Sequence, residues 1–124
     1  MIKYLKSHEW AKIDGDIAQV GITDYAQSQL GDIVFVETSS VGDTVSQGDS
    51  LGTIESTKAA SEIFSPLSGE VIAVNDQIET SPQLINESAM EKGWLVKIKI
   101  SNPKDLDNLM DQGQYKKFVE SEAH

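Results

Sequence analysis

Gly52-Thr-Ile-Glu-Ser-Thr-Lys58-Ala-Ala-Ser-Glu-Ile-Phe-Ser-Pro66-Leu-Ser-Gly69-Glu-Val71 is the stretch on which the reading of this chain turns. Before the lysine, Leu51, Thr53 and Glu55 alternate with Gly52, Ile54 and Ser56; after it come Ile63-Phe64 and, past Gly69, Val71-Ile72-Ala73-Val74. Alternation at a period of two belongs to strands, so two β segments are expected to meet at a hairpin tip that carries Lys58. The lysine's neighbours Ser56, Thr57, Ala59, Ala60 and Ser61 are small or polar. A lysine at such a tip is ordinarily a solvated turn residue, but a long cationic side chain among short ones also suits an amine that another protein must modify.

Outward from that stretch the chain is punctuated by turns at short spacing. Ile2, Tyr4 and Leu5 suggest a lead-in strand, and Trp10–Ile13 and Ile17–Val20 flank Asp14-Gly15-Asp16, a strong hairpin marker. Thr23 is a good N-cap for a short helix with Tyr25, Ala26, Gln29 and Leu30 on one face, ended by Gly31. Ile33–Val36, Thr44-Val45, Leu51–Ile54, Glu62–Phe64 and Val71–Val74 read as strands, and Asn75-Asp76 as a turn. Pro82 marks a short helical turn through Leu84–Asn86. Trp94–Ile100 is the clearest strand, with Trp94, Val96, Ile98 and Ile100 on one side and Leu95, Lys97 and Lys99 on the other. Pro103 opens a helix with Leu106, Leu109 and Met110 as its apolar stripe, ending near Gly113; Gln114–Glu122 forms a final helix, and residues 120–124 form a frayed tail.

One internal echo bears on architecture. Gly31-Asp-Ile-Val-Phe-Val36 and Gly69-Glu-Val-Ile-Ala-Val74 share a glycine, an acid and a β-branched run. A repeated β unit would put Lys58 where two similar halves meet. Together these features predict a mainly β protein, a small sandwich or barrel with short added helices, folded as a single domain over residues 1–124.

Composition removes rival chemistries. The chain holds 20 Asp and Glu against 10 Lys and Arg, a net charge of −10, which is a poor footprint for nucleic acid. It contains no cysteine, so disulfides, thiolate metal sites and cysteine nucleophiles are excluded. His8 has only His124 as a second histidine, which makes a structural role the better reading than a metal site. Trp10 and Trp94 read as core, and no phosphate-cradling glycine loop is present. No apolar run approaches membrane-spanning length and the first ten residues lack a signal peptide's apolar core, so the cytoplasm is the expected compartment.

Four stretches resemble one family. Ser7-His8-Glu9-Trp10, Gly21–Gln27 with Leu30–Val36, Glu55–Glu62 with Ser65–Val71, and Gly93-Trp94-Leu95 with Ile98 are jointly similar to the H protein family of the glycine cleavage system, from about Tyr4 to about Phe118. Thr57 stands where that family often has Val and keeps its β-branching; Glu62 stands where it often has Asp and is longer by a methylene. The resemblance implies a lipoyl-type barrel-sandwich hybrid and lipoic acid in amide linkage on Lys58. It also implies a non-enzymatic carrier that shuttles the aminomethyl group of glycine from a pyridoxal-phosphate-dependent glycine decarboxylase to a tetrahydrofolate-dependent aminomethyltransferase, with reoxidation by dihydrolipoamide dehydrogenase. A lipoate ligase or an octanoyl or lipoyl transferase would load the lysine. By position, Ser7, Glu9 and Glu62 match residues that hold the loaded arm in a cleft. Visiting several enzymes in turn favours a monomer. A lipoate-relay protein of the same kind is an alternative. A biotinyl domain fits less well, since Thr57 and Ala59 rather than methionines flank the lysine, and an unmodified acidic scaffold is the remaining reading.

Overall fold

The structure, a computed structural model, describes residues 1–122. The first hairpin pairs β2 (Glu9–Asp14) with β3 (Ile17–Ile22) across Gly15-Asp16, and β1 (Ile2–Tyr4) adds to its edge. Helix α1 (Asp24–Leu30) follows, capped as its sequence anticipates: the Thr23 hydroxyl accepts from the Ala26 N–H at 3.2 Å, and Gly31 closes the other end. Its inward side differs from the expectation, since Gln29 is exposed and Gln27 half-buried while Ala26 and Leu30 pack on the core.

The strands β4 (Ile33–Thr38), β6 (Ser50–Ser56) and β7 (Ala60–Phe64) form a three-stranded sheet in the order β4-β6-β7. With β5 (Thr44–Val45), β8 (Gly69–Val74) and β9 (Val96–Ile100), the first three strands form a six-stranded sheet in the order β1-β2-β3-β9-β8-β5. Ala11, Ala18, Val20, Val71, Val96 and Ile98 from the larger sheet meet Val36, Leu51, Ile54 and Ile63 from the smaller one in a shared apolar core. This two-sheet, strand-rich architecture with small helices is the expected β sandwich.

The internal echo has a structural counterpart. Strand β4 pairs antiparallel with β6, and β8 with β9. Each echo strand carries a register shift at the same place, between Ile33 and Phe35 in one and between Val71 and Ala73 in the other. The residue inside the shift, Val34 or Ile72, is exposed in both.

Several expected boundaries move. Strand β9 starts at Val96 rather than Trp94, because the buried Asn75 amide donates to the carbonyls of Lys92 (2.9 Å) and Trp94 (2.8 Å) and bends the chain before the strand. Leu95, expected to face away from Val96, is buried in the core, its N–H donating to the Val20 carbonyl at 2.7 Å. Two one-turn helices, α2 (Gln77–Thr80) and α3 (Leu84–Glu87), stand where a single turn was expected, and α3 begins two residues past Pro82. The segment after Pro103 is a 3-10 helix, Pro103–Asn108, where the buried Asp105 carboxylate accepts from Ser68 N–H and Asn102; side-chain bonds of this kind compete with an α-helical ladder.

Helix α4 (Gln112–Glu122) starts before the predicted break, with Gly113 inside it. The reason is a capping box: the Asp111 carboxylate accepts from Gln114 N–H at 2.8 Å and the Gln114 side chain accepts from Asp111 N–H at 2.9 Å. The expected loose tail is helical as far as Glu122; Ala123 and His124 lie outside the described residues. Tyr115 of α4 stacks on Tyr4 with ring centroids 4.3 Å apart, in a second apolar cluster that includes the fully buried Trp10. Among the described residues no helix is long and apolar enough to cross a membrane.

Candidate functional site

Lys58 sits where its sequence put it, exposed at the turn between β6 and β7. The turn is built around Ser56. Its N–H donates to the Ala59 carbonyl at 2.8 Å, and its hydroxyl accepts from the N–H groups of Lys58 (3.3 Å) and Ala59 (3.1 Å). A serine organises a turn by this means because its side chain substitutes for a backbone acceptor.

The tip is also tied sideways. Thr57 N–H donates to the Asp32 carbonyl at 3.0 Å, in the link between α1 and β4. That link is itself fixed by Asn86 of α3, whose amide donates to the Gly31 carbonyl (2.8 Å) and to Gln27 (3.0 Å) while its oxygen accepts from Ile33 N–H (2.9 Å). Gly31, at φ 82, leaves room for the lysine stem: a Cβ there would lie 3.1 Å from Lys58 Cε. The mount for Lys58 is therefore a chain of backbone and amide contacts running Asn86, Gly31–Ile33, Thr57. The helical turn that holds Asn86 is legible in the sequence but the tie is not, since no local pattern connects residues so far apart along the chain.

Replacing Asn86 with Ala is expected to orphan the Ile33 N–H and the Gly31 carbonyl. Each buried group left without a partner costs about 1–3 kcal/mol, so the variant should lose roughly 2–6 kcal/mol of stability. Faster amide exchange at Thr57 and Ile33 than at Val20 would check that the loosening centres on the Lys58 mount; uniform protection across these amides would contradict the tie.

Ser7 and Glu9 are brought together. Glu9 is buried, its carboxylate accepting from the Ser7 hydroxyl and, at 2.9 Å, from Phe64 N–H at the end of β7. Glu62 is on the same strand two residues before Phe64, paired with Thr53, and is exposed; among the described residues it forms no ion pair. Glu62 lies four residue steps from Lys58, at most roughly 13 Å, and Phe64 six steps, at most roughly 20 Å, because β7 begins only at Ala60, past the turn. So Ser7 and Glu9 form one joined pair, with Glu62 between that pair and the lysine.

Burial pushes the Glu9 carboxyl above its ordinary range, against the opposing pull of the Ser7 and Phe64 hydrogen bonds. The folded state therefore binds this proton more tightly than the unfolded chain. Glu9's contribution to stability is full below the unfolded value near 4.5 and declines as pH rises through the raised folded value. Gln can keep both contacts, its oxygen accepting from Phe64 and its amide donating to Ser7. The parent's melting temperature is expected to decline as pH rises above about 4.5, through the raised folded value, and Glu9→Gln should flatten that decline; an unchanged pH profile would contradict the raised carboxyl.

Between Ser7 and Glu9, His8 adopts a left-handed backbone (φ 76) that a non-glycine residue holds only when its surroundings compel it. Its ring is half-buried, close to Tyr25 and Phe118, with Nδ1 sharing a hydrogen bond with the Tyr115 hydroxyl (2.8 Å) and Nε2 bonded to the Glu122 carboxylate (2.7 Å). The Tyr115 hydroxyl also bonds Thr23 at 2.7 Å, and burial pushes its pKa up to about 12. His8 thus ties α4 to the turn that carries Ser7 and leads into Glu9, the first residue of β2. Among the described residues no group of three or more His, Asp or Glu is placed to hold a metal ion.

Comparison with known proteins agrees along the whole chain. The family model described as "Glycine cleavage H-protein" matches residues 2–122. The glycine cleavage system H protein of Parvibaculum lavamentivorans is 54% identical over 97% of this chain and 96% of its own length. The mitochondrial glycine cleavage system H protein of Oryza sativa subsp. indica is 52% identical over 99% of this chain and 76% of its own. Among solved structures, a glycine cleavage system H protein from Mycobacterium marinum superposes with a TM-score of 0.86 at 32% identity, covering 99% of this chain and 97% of that one.

Proposed function

The chain belongs to the glycine cleavage H-protein family, the lipoyl carriers of that system, and on that premise we propose that Lys58 is the residue that carries lipoic acid. The observation that supports this most is the mount: an exposed lysine at a hairpin tip with only small neighbours, held by Ser56 from within and by Asp32 and Asn86 from the side. Modification needs an amine that can enter another protein's active site, and a carrier needs a base that does not move when it does.

In the loading step the uncharged Lys58 amine attacks the carbonyl carbon of an activated lipoyl group. A C–N bond forms, the bond from that carbon to the leaving phosphate or thiol breaks, and the surplus proton leaves the nitrogen; nothing is oxidised or reduced. The amide removes the lysine's charge and lengthens its arm to the order of 15 Å. Once attached, the group supplies a dithiolane that can take up electrons and a one-carbon unit. Ser7, Glu9 and Glu62 would receive the far end of the arm, because the distances along β7 are of the same order as its length. A carboxylate has about four acceptor positions, so Glu9 has capacity beyond its two present bonds.

The chain itself then acts as a non-catalytic carrier. Its partners are the pyridoxal-phosphate-dependent decarboxylase, the aminomethyltransferase and dihydrolipoamide dehydrogenase, with tethering raising the arm's effective concentration at each docked site. Intact mass of the chain made in lipoate-competent cells, with peptide mapping, tests the reading. A single lipoyl-sized increment on the peptide containing Lys58 is expected; a biotin-sized increment, or modification elsewhere, would overturn it.

A further inference from the structure

We propose that Val34 and Phe35 form the docking surface for the enzyme that acylates Lys58, and that this enzyme meets them with an apolar socket rimmed by Lys or Arg. The inference rests on the reading of Lys58 as the lipoyl-bearing residue. Its first ground is an irregularity in β4. Neighbouring strand residues normally face opposite ways, yet Val34 and Phe35 are 54% and 48% exposed, while Ile33 and Val36 are buried. The register shift between Ile33 and Phe35 turns both apolar side chains outward. Bulges re-aim side chains in this way at the expense of ladder pairing, and two adjacent apolar residues in water need a partner to cover them.

The second ground is position. Ile33 pairs with Ser56 and Phe35 with Glu55, and the Asp32 carbonyl holds the Thr57 N–H, so the exposed pair lies beside the tip of the lysine hairpin. The third is reach, which selects the partner. Before loading, only the lysine's own stem, about 6 Å long, can enter an active site. An acylating enzyme must therefore close over the ground beside the hairpin, whereas enzymes that act later can stand off at the end of a longer arm.

Charge supplies the rim. From Gly31 to Phe64 there are six Asp and Glu and a single lysine, Lys58 itself. Asp32, Glu37, Glu55 and Glu62 are exposed, and the one salt bridge among the described residues, His8 with Glu122, involves none of them. A partner carrying cations around an apolar centre complements this surface and is steered to it.

The echo provides a built-in control. Ile72 occupies the matching bulge in β8 on the other sheet, also exposed but on a different strand pair from Lys58. The unmodified full chain would be titrated against a lipoate ligase with lipoate and ATP. The double variant Val34→Ser/Phe35→Ser should raise the ligase KM for the chain about tenfold or more, equivalent to ~1.4 kcal/mol, with kcat nearly unchanged. Ile72→Ser should change neither, Phe35→Leu should retain most of the affinity, and added salt should raise the parent KM. Should the double variant fail to fold, Phe35→Ser alone carries the test.

An unchanged KM in the folded double variant or in folded Phe35→Ser, or an equal rise with Ile72→Ser, would overturn the proposal. So would normal acylation followed by a defect confined to the glycine decarboxylase, which would assign the surface to a later partner. A parent chain that the ligase leaves unmodified at Lys58 would instead remove the lipoyl-lysine reading, a different failure from docking.

Discussion

Lys58→Arg is expected to give a folded protein that never acquires a lipoyl group and supports no glycine–bicarbonate exchange with the decarboxylase. Arginine keeps the length and charge of the side chain, so the hairpin loses nothing that holds it: its contacts run through the backbone and Ser56, not through the lysine amine. An exposed position with no ion pair changes stability by within about 0.5 kcal/mol, which leaves the melting temperature nearly unmoved. The chemistry is lost outright, because a guanidinium stays protonated at any working pH and is a poor nucleophile. Intact mass gives a yes-or-no readout. Any lipoyl increment on the arginine variant would show that another lysine is loaded and would displace Lys58 from its proposed role.

Trp10→Ala should be the most damaging single change to the fold. Trp10 is fully buried, its indole N–H donates to the Ala89 carbonyl at 3.0 Å, and it joins the cluster of Tyr4 and Tyr115 that seats α4. Truncating a buried tryptophan costs about 3–5 kcal/mol, a large share of the roughly 5–15 kcal/mol that stabilises a domain. At a slope of about 1–3 kcal/mol per molar urea, the unfolding midpoint should fall by roughly 2 M. Gly21 gives the internal check. A Cβ there would lie 2.6 Å from Trp10 Cζ2, so Gly21→Ala should be destabilising in the parent and much less so in the Trp10→Ala background. Strict additivity of the two changes would mean that the indole and Gly21 are not in contact as described.

Both changes sit at residues that the chain's own pattern singles out, and much else was legible in the same way. The lysine hairpin, the Asp-Gly turn and the Thr23 cap are local: residues a few positions apart fix the conformation, so one-dimensional pattern suffices. Misplaced boundaries had two causes. The Asp111–Gln114 capping box is local and outweighs Gly113, which costs little in a first turn whose N–H groups have no helical partner. The late start of the last strand was not locally encoded, because Asn75 bends the chain before it from nearly twenty residues upstream.

The candidate site divides along the same line. Glu9 and Ser7 were named by resemblance, yet only the fold shows the carboxylate buried and bonded to Phe64 N–H on a strand that lies far along the chain. The His8 link to Tyr115 and Glu122 and the Asn86 tie were invisible for the same reason: side-chain pairs more than fifty residues apart leave no periodic trace.

By itself the sequence determined the β class of the chain, the hairpin, the exposed lysine and the acidic surface around it. Each follows from residue type and short spacing, the scale on which backbone preference and hydrophobic alternation act. Tertiary structure alone decided that Asn86 ties the lysine's mount to α3, that Glu9 is desolvated, and that a bulge turns Val34 and Phe35 outward beside the hairpin. Those are properties of pairing register and burial, which exist only once distant segments pack together.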